Sequence, residues 1–123
     1  MSEVYVFLAD GFEEIEALAP VDLMRRAGLK VTTVSVNDST VVTGSHGIRV
    51  EADALITDTD LSGAEMLVCP GGMPGASNLA ACGKLTAALT DQCRAGRYVA
   101  AICAAPAVTL APLGILDGLQ ATC

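Results

Sequence analysis

The chain has no tryptophan, a single histidine, and only two tyrosines and two phenylalanines among its 123 residues. So little aromatic surface excludes the stacking platforms on which single-stranded nucleic acids are bound. Cations are scarce as well, with seven Lys and Arg against fourteen Asp and Glu, a formal net charge of −7. An acidic surface repels phosphate backbones and anionic headgroups, so neither nucleic acid nor a membrane is expected as a partner. No apolar stretch is long enough to span a bilayer. The first apolar run, Val4 to Ala9, is too short for a signal-peptide core and leads into Asp10, Glu13, Glu14 and Glu16. The five cysteines, Cys69, Cys82, Cys93, Cys103 and Cys123, are odd in number and lack CxxC or His-paired spacing. Neither a disulfide framework nor a metal site is indicated, and a reducing cytoplasm is the expected setting.

What is present is apolar: 52% of the residues are hydrophobic and 17% charged, the composition of one globular domain with a core of Ala, Val, Leu and Ile. The continuous run Val4 to Ala9 reads as a strand buried on both faces, as in a parallel sheet. A helix follows, with Ile15, Leu18, Leu23 and Met24 on its apolar side, Arg25 and Arg26 near its end and Gly28 beyond it. Pro20 is expected to kink or restart it. Lys30 to Val36 is a β-branched strand, and strand, helix and strand together form a right-handed βαβ unit. Val41-Val42 and Ile48 to Glu51 read as a small hairpin around Thr43 to Gly47, and Ala52 to Gly63 as a polar surface connection. Met66 to Cys69 is a short buried strand. The next helix, capped by Ser77 or Asn78, carries Leu79, Leu85 and Leu89 and ends at Arg94-Ala95-Gly96. Tyr98 to Ile102 is a further buried strand, a short helix runs to Gly114, and Leu119 to Cys123 reads as another strand start. The alternation predicts a doubly wound α/β sandwich with its ligand site at the carboxyl ends of the parallel strands.

Three features fall at that edge: Asp10 to Glu16, Pro70 to Gly75, and Cys103. Cys103 stands where an apolar strand turns into a helix start, with Pro106 at a position that tolerates a missing N–H. Unpaired N–H groups and the positive end of a helix dipole favour an anion there, so a partly ionised, nucleophilic thiol is expected. The alternative is a small buried core thiol. Glu13 and Glu14 read as a charged helix N-terminus. Glu16, brought near a thiolate, would hold a proton that it can donate. Pro70-Gly71-Gly72 forms either a simple tight turn or, with the Ala104 N–H, a set of donors for a developing oxyanion. His46, in the hairpin, reads as a solvated turn residue.

The segments ADGFEEIEALAPVDLMRRAG, VCPGGMPGASNL and VAAICAAPAVTLAPLGIL closely resemble the ThiJ/PfpI superfamily, in the branch of the Parkinson's-disease-associated protein deglycase and the bacterial YajL-like proteins. The resemblance spans almost the whole chain. It implies a flavodoxin-like sandwich with a mostly parallel sheet, a homodimer, and an oxidation-sensitive cysteine at a nucleophile elbow, which falls on Cys103. The family's proton-holding glutamate falls on Glu16, and its oxyanion pocket on Gly71, Gly72 and Ala104. Relatives often carry a histidine on the strand after the elbow helix; Cys123 occupies about that place here and is a possible site neighbour. A Cys-His dyad is therefore not expected, and Cys103 with Glu16 is the catalytic pair. The family's chain also continues past Cys123, and residues 1–123 are expected to form one domain lacking its C-terminal part.

Two functions follow from the resemblance. One is a cofactor-independent glyoxalase or protein deglycase, acting on small 2-oxoaldehydes such as methylglyoxal or on their early protein adducts. The other is a non-catalytic redox sensor or chaperone that works through oxidation of Cys103. An amidase or peptidase is a weaker third reading, because it needs a histidine that the sequence does not place.

Overall fold

The computed structural model describes residues 3–123. Its element order is β1 (Glu3–Leu8), α1 (Glu14–Arg26), β2 (Lys30–Ser35), β3 (Val41–Thr43), β4 (Arg49–Glu51), β5 (Ala54–Leu55), β6 (Met66–Cys69), α2 (Gly75–Ala80), α3 (Gly83–Arg94) and β7 (Tyr98–Ala101). Five strands form a parallel sheet in the order β5-β2-β1-β6-β7, while β3 and β4 pair antiparallel as a separate hairpin. The fold is an α/β sandwich with a parallel central sheet flanked by helices.

The run that opens the chain is apolar at every position because both faces of its strand are covered. Val4 and Val6 pack with Val21, Val31 and Val68 on the α1 side. Phe7, next after Val6 in the pleat, turns to the other face and packs with Leu67, Leu79, Leu85 and Leu89. Leu8 joins Phe12, Ala17, Val42 and Ala52 in a third cluster, which seats the hairpin on the start of α1.

Several local expectations are corrected. Helix α1 runs as one element from Glu14 to Arg26, so it does not restart at Pro20; burial of Ala17 and Val21 on either side of the proline holds it together despite one lost hydrogen bond. One helix expected after Pro74 is two, α2 and α3, and Ser77 and Asn78 lie inside α2 rather than capping it. The Asn78 amide instead reaches back to the Asp10 carbonyl at 2.8 Å. The connection after Ala52 contributes the edge strand β5 and buries Ala52, Ile56 and Leu61. Strand β7 is an edge strand, with Tyr98 68% exposed and Ile102, just past its end, 46% exposed, not a fully buried one. Leu119 to Cys123 forms no strand and lies exposed.

Candidate functional site

The carboxyl ends of β1, β6 and β7 bring three loops together. The first is residues 9–13, which enter α1; the second is the turn at Pro70 to Pro74; the third is the corner at Ile102 to Ala105. Backbone bonds lock them to one another: Glu13 N–H donates to the Gly71 carbonyl at 2.9 Å, Gly75 N–H to Gly11 at 3.2 Å, and Ile102 N–H to Cys69 at 3.3 Å. Gly71 and Gly75 must be glycine here. A Cβ on Gly71 would stand 2.5 Å from Glu16 Oε1 and 2.9 Å from the Ile102 carbonyl oxygen, and one on Gly75 would stand 2.7 Å from Gly11 and Phe12 backbone atoms.

Cys103 occupies the corner after β7 with φ of 57°, and among the described residues it is the one non-glycine with positive φ. That left-handed conformation costs a non-glycine residue on the order of 1–2 kcal/mol and projects its side chain out of the strand-to-helix turn. The thiol is exposed, which removes the reading of a buried core cysteine. The turn behind it is a π-helical segment, Pro106–Leu110, followed by a 3-10 turn, Ala111–Leu113, ending at Gly114. Thr109, fully buried, donates its hydroxyl to the Ala76 carbonyl at 2.9 Å and so ties this turn to α2.

Glu16 and Cys103 meet. The Glu16 carboxylate, as acceptor for the thiol and through its charge, pushes Cys103 above its ordinary value of 9.0, with burial and Cys123 adding to the rise. The Ala104 N–H acts in the opposite direction by stabilising the thiolate. The expectation of a thiol depressed by the helix start is thus reversed: one adjacent carboxylate outweighs one backbone donor, and a π-helical turn of five residues supplies only a weak dipole.

The glycines expected as oxyanion donors are placed differently. The Gly71 N–H donates to Glu16 Oε1 at 3.0 Å and is therefore occupied in orienting the carboxylate. Gly72, at φ of 92°, lies against the backbone of Gly11 to Glu13. Ala104 alone of the three directs its N–H at the sulfur. Cys123 is near enough for its charge to be felt at Cys103, and with Pro106, Ala107 and Leu116 it lines a cavity of about 130 Å³. On the other side, Glu16 borders an apolar groove of about 170 Å³ between α1 and the β6–β7 edge.

The two other glutamates of the acidic cluster separate in role. Glu13 is the N-cap of α1, its Oε2 accepting the Glu16 N–H at 2.9 Å. Glu14 is not a solvated helix-end charge: it is 5% exposed, and its carboxylate sits in the turn of the hairpin. There it accepts the His46 N–H at 2.9 Å, the Ile48 N–H at 3.3 Å and the Ser45 hydroxyl at 3.4 Å, with His46 Nδ1 at 3.0 Å. Burial pushes this carboxyl up, but the hydrogen bonds from His46 and the backbone overcome it and hold the group at about 2. His46 is raised in return, chiefly by its hydrogen bond to Glu14. The histidine is therefore a partner of Glu14, with Glu13 at 3.6 Å. Ligand atoms of Glu13, Glu14 and His46 come within 4.8 Å of one another, but Glu14 is already committed to the hairpin turn. Nothing in the sequence distinguishes Glu14 from its neighbours; the signal is the position of Gly44, whose missing Cβ makes room for the Glu14 carboxylate.

Known proteins are similar to this chain in sequence and fold. The model of the DJ-1/PfpI family matches residues 2–123. Protein DJ-1 homolog B of Arabidopsis thaliana is 39% identical over 121 residues, which cover 98% of this chain and 28% of that protein. The glutathione-independent glyoxalase DJR-1.2 of Caenorhabditis elegans is 34% identical over 99 residues, 80% of this chain and 52% of the relative. The structure of oxidized Toxoplasma gondii DJ-1 superposes with a TM-score of 0.93 at 42% identity, covering 96% of this chain and 64% of that one. The chain thus spans less than two thirds of the length of each of these relatives. With its parallel sheet, its elbow cysteine and a match along nearly its whole length, the chain belongs to the DJ-1/PfpI family.

Proposed function

We propose that this protein is a cofactor-independent enzyme of the glyoxalase and deglycase type, acting on small 2-oxoaldehydes or their early adducts on proteins. The observation that carries this reading is the exposed Cys103 thiol at a left-handed corner with the Glu16 carboxylate against it. The relative named a glutathione-independent glyoxalase supports it.

In the proposed reaction the proton moves from sulfur to Glu16, and the thiolate adds to the aldehyde carbon of methylglyoxal. The carbonyl oxygen takes that proton from Glu16 to give a hemithioacetal, with the Ala104 N–H beside the reacting sulfur, and leaves Glu16 as a carboxylate. Glu16 then removes the hydrogen on the former aldehyde carbon as a proton and returns one to the neighbouring carbon. The aldehyde carbon is thereby oxidised to a thioester while the ketone is reduced to an alcohol, so no external oxidant or reductant is consumed. Water cleaves the thioester, releasing the 2-hydroxy acid and restoring the thiol. On a glycated side chain the same attack would reverse the early adduct.

A second reading, a redox sensor or chaperone, is favoured by the contrast between Cys103 and Cys69. The first is open to solvent; the second is fully buried, with its thiol pushed up to about 12. A hydroperoxide would oxidise Cys103, and Glu16 with the Ala104 N–H would hold the oxidised sulfur. The protein is proposed to act as a homodimer, on small-molecule or protein substrates, in the cytoplasm. No helix among the described residues is long and apolar enough to cross a membrane.

The test is conversion of methylglyoxal to lactate by the protein beside its Cys103→Ala variant. Turnover that disappears in the variant supports the enzyme. Absence of turnover in both, with peroxide oxidising Cys103, moves the assignment to the sensor.

A further inference from the structure

The one buried carboxylate in the described chain plays no part in the chemistry outlined above. Glu14 directly follows the residue that caps α1 and stands two positions before the residue that reaches Cys103. Its carboxylate is enclosed by the hairpin turn, from which two backbone N–H groups and one hydroxyl point at it. The fit is close enough that residue 44 has to be glycine, since its Cβ would overlap the carboxylate. The same turn is fixed to the chain just before α1 by Ser45 N–H to the Phe12 carbonyl at 2.7 Å and Gly11 N–H to Thr43 at 2.8 Å. One residue further on, Glu13 clamps the Gly71 carbonyl with its N–H, and Gly71 in turn directs its own N–H to Glu16 Oε1 at 3.0 Å.

The contacts therefore form an unbroken sequence from the hairpin to the reacting sulfur: turn 44–48, Glu14, the first turn of α1, Gly71, Glu16, Cys103. We propose that Glu14 is a positioning residue for the Cys103–Glu16 pair, holding the hairpin turn against the start of α1 so that the Glu16 carboxylate meets the sulfur in a productive orientation. The inference rests on the reading of Cys103 and Glu16 as the catalytic pair. Its physical basis is that the first turn of a helix, whose N–H groups lack intrahelical partners, is free to fray unless something holds it. Proton transfer to sulfur and carbon needs the carboxyl within hydrogen-bond reach, and a misplacement of about 1 Å costs on the order of 10²-fold in rate. A carboxylate is suited to this task because each oxygen accepts two donors at once, which no apolar side chain in the same space could do.

A role in positioning and a role in stability alone separate in a double-mutant cycle. The protein, Glu14→Gln, Gly44→Ala, Glu16→Gln and the two pairwise combinations with Glu16→Gln are assayed with methylglyoxal for kcat and KM. Alkylation of Cys103 by iodoacetamide is followed against pH, and folding is checked by thermal melting. Glu14→Gln weakens the hold from the helix side, and Gly44→Ala presses on the same carboxylate from the hairpin side, so either folded variant alone decides the matter. The expected result is a fall in kcat on the order of 10²-fold with KM little changed. The midpoint of Cys103 alkylation should move to lower pH, as in Glu16→Gln, and neither change should reduce kcat further in the Glu16→Gln background. A folded variant with unaltered kcat, or an equal fall in both backgrounds, overturns the inference alone. Full turnover in Glu16→Gln overturns it together with the assignment of the catalytic pair.

Discussion

The backbone N–H of Gly71 donates to Oε1 of Glu16 over 3.0 Å, joining the end of β6 to the first turn of α1 across 55 residues of sequence. One oxygen of the carboxylate is thereby fixed by the main chain, and the side chain that acts on Cys103 is held without relying on a flexible neighbour. Removing the glycine should disturb both. In Gly71→Ala the new methyl would meet Glu16 Oε1, the Ile102 carbonyl and the Ala104 N–H, two of them rigid backbone atoms. A loss of roughly 1–3 kcal/mol, typical of overpacking, is expected in denaturant unfolding, together with reduced methylglyoxal turnover.

Glu16→Gln keeps the shape and the acceptor for Gly71 but cannot exchange a proton. Turnover should fall by roughly the 10²–10⁴ of lost general acid–base catalysis, while stability changes by about the 1 kcal/mol of one hydrogen bond. Since Glu16 is what raises the Cys103 thiol, the midpoint of its alkylation against pH should move down toward 9.0 in the variant. Normal turnover with an unmoved midpoint would mean that another group serves the sulfur.

Cys103 should be the first thiol oxidised by mild peroxide, ahead of Cys69, Cys82 and Cys93. Its advantage is access rather than acidity: it is exposed, whereas burial raises both Cys69 and Cys93. Peptide mass spectrometry that found another of these three oxidised first would remove it from this role.

The Glu14–His46 contact gives stability a defined pH dependence. The Glu14 carboxyl is held at about 2 against an ordinary 4.5, so its contribution is complete above pH 4.5 and is lost as pH falls through about 2. His46 is raised above 6.5, so its contribution is complete below pH 6.5 and fades as pH rises through the folded value. The hairpin should be held most firmly between about pH 4.5 and 6.5, with Glu13 as the other charge facing the imidazole. Protection of the amides of residues 45–48, taken against the intrinsic exchange rate at each pH, should be greatest in that window, and His46→Gln should abolish its decline on the alkaline side. Equal protection inside and outside the window in both proteins would show that the pair does not secure the turn.

The sequence by itself determined the alternation of strands and helices and the edge at which the site lies, though not every element boundary. A short run that is apolar at every position and rich in β-branched and aromatic residues, Val4 to Leu8, suits a strand covered on both faces, and strands of that kind alternating with helices wind into a parallel sheet. Cys103 was legible for the same local reason: an apolar strand broken by a single polarisable residue before Ala104-Ala105-Pro106 is a turn at the carboxyl edge. The tertiary structure alone decided what those residues face. Gly71 and Glu16 lie 55 positions apart and Glu14 and His46 32 apart, so which carboxylate turns to the sulfur and which to the hairpin depends on strand order and loop docking, which periodicity does not carry. The sign of the Cys103 shift was hidden for that reason, because the dipole of its own helix is a local feature whereas the opposing carboxylate arrives from another element. The same holds for Leu119 to Cys123: its composition suits a strand, but a strand forms only where a neighbouring edge accepts its hydrogen bonds, and here the segment pairs with none.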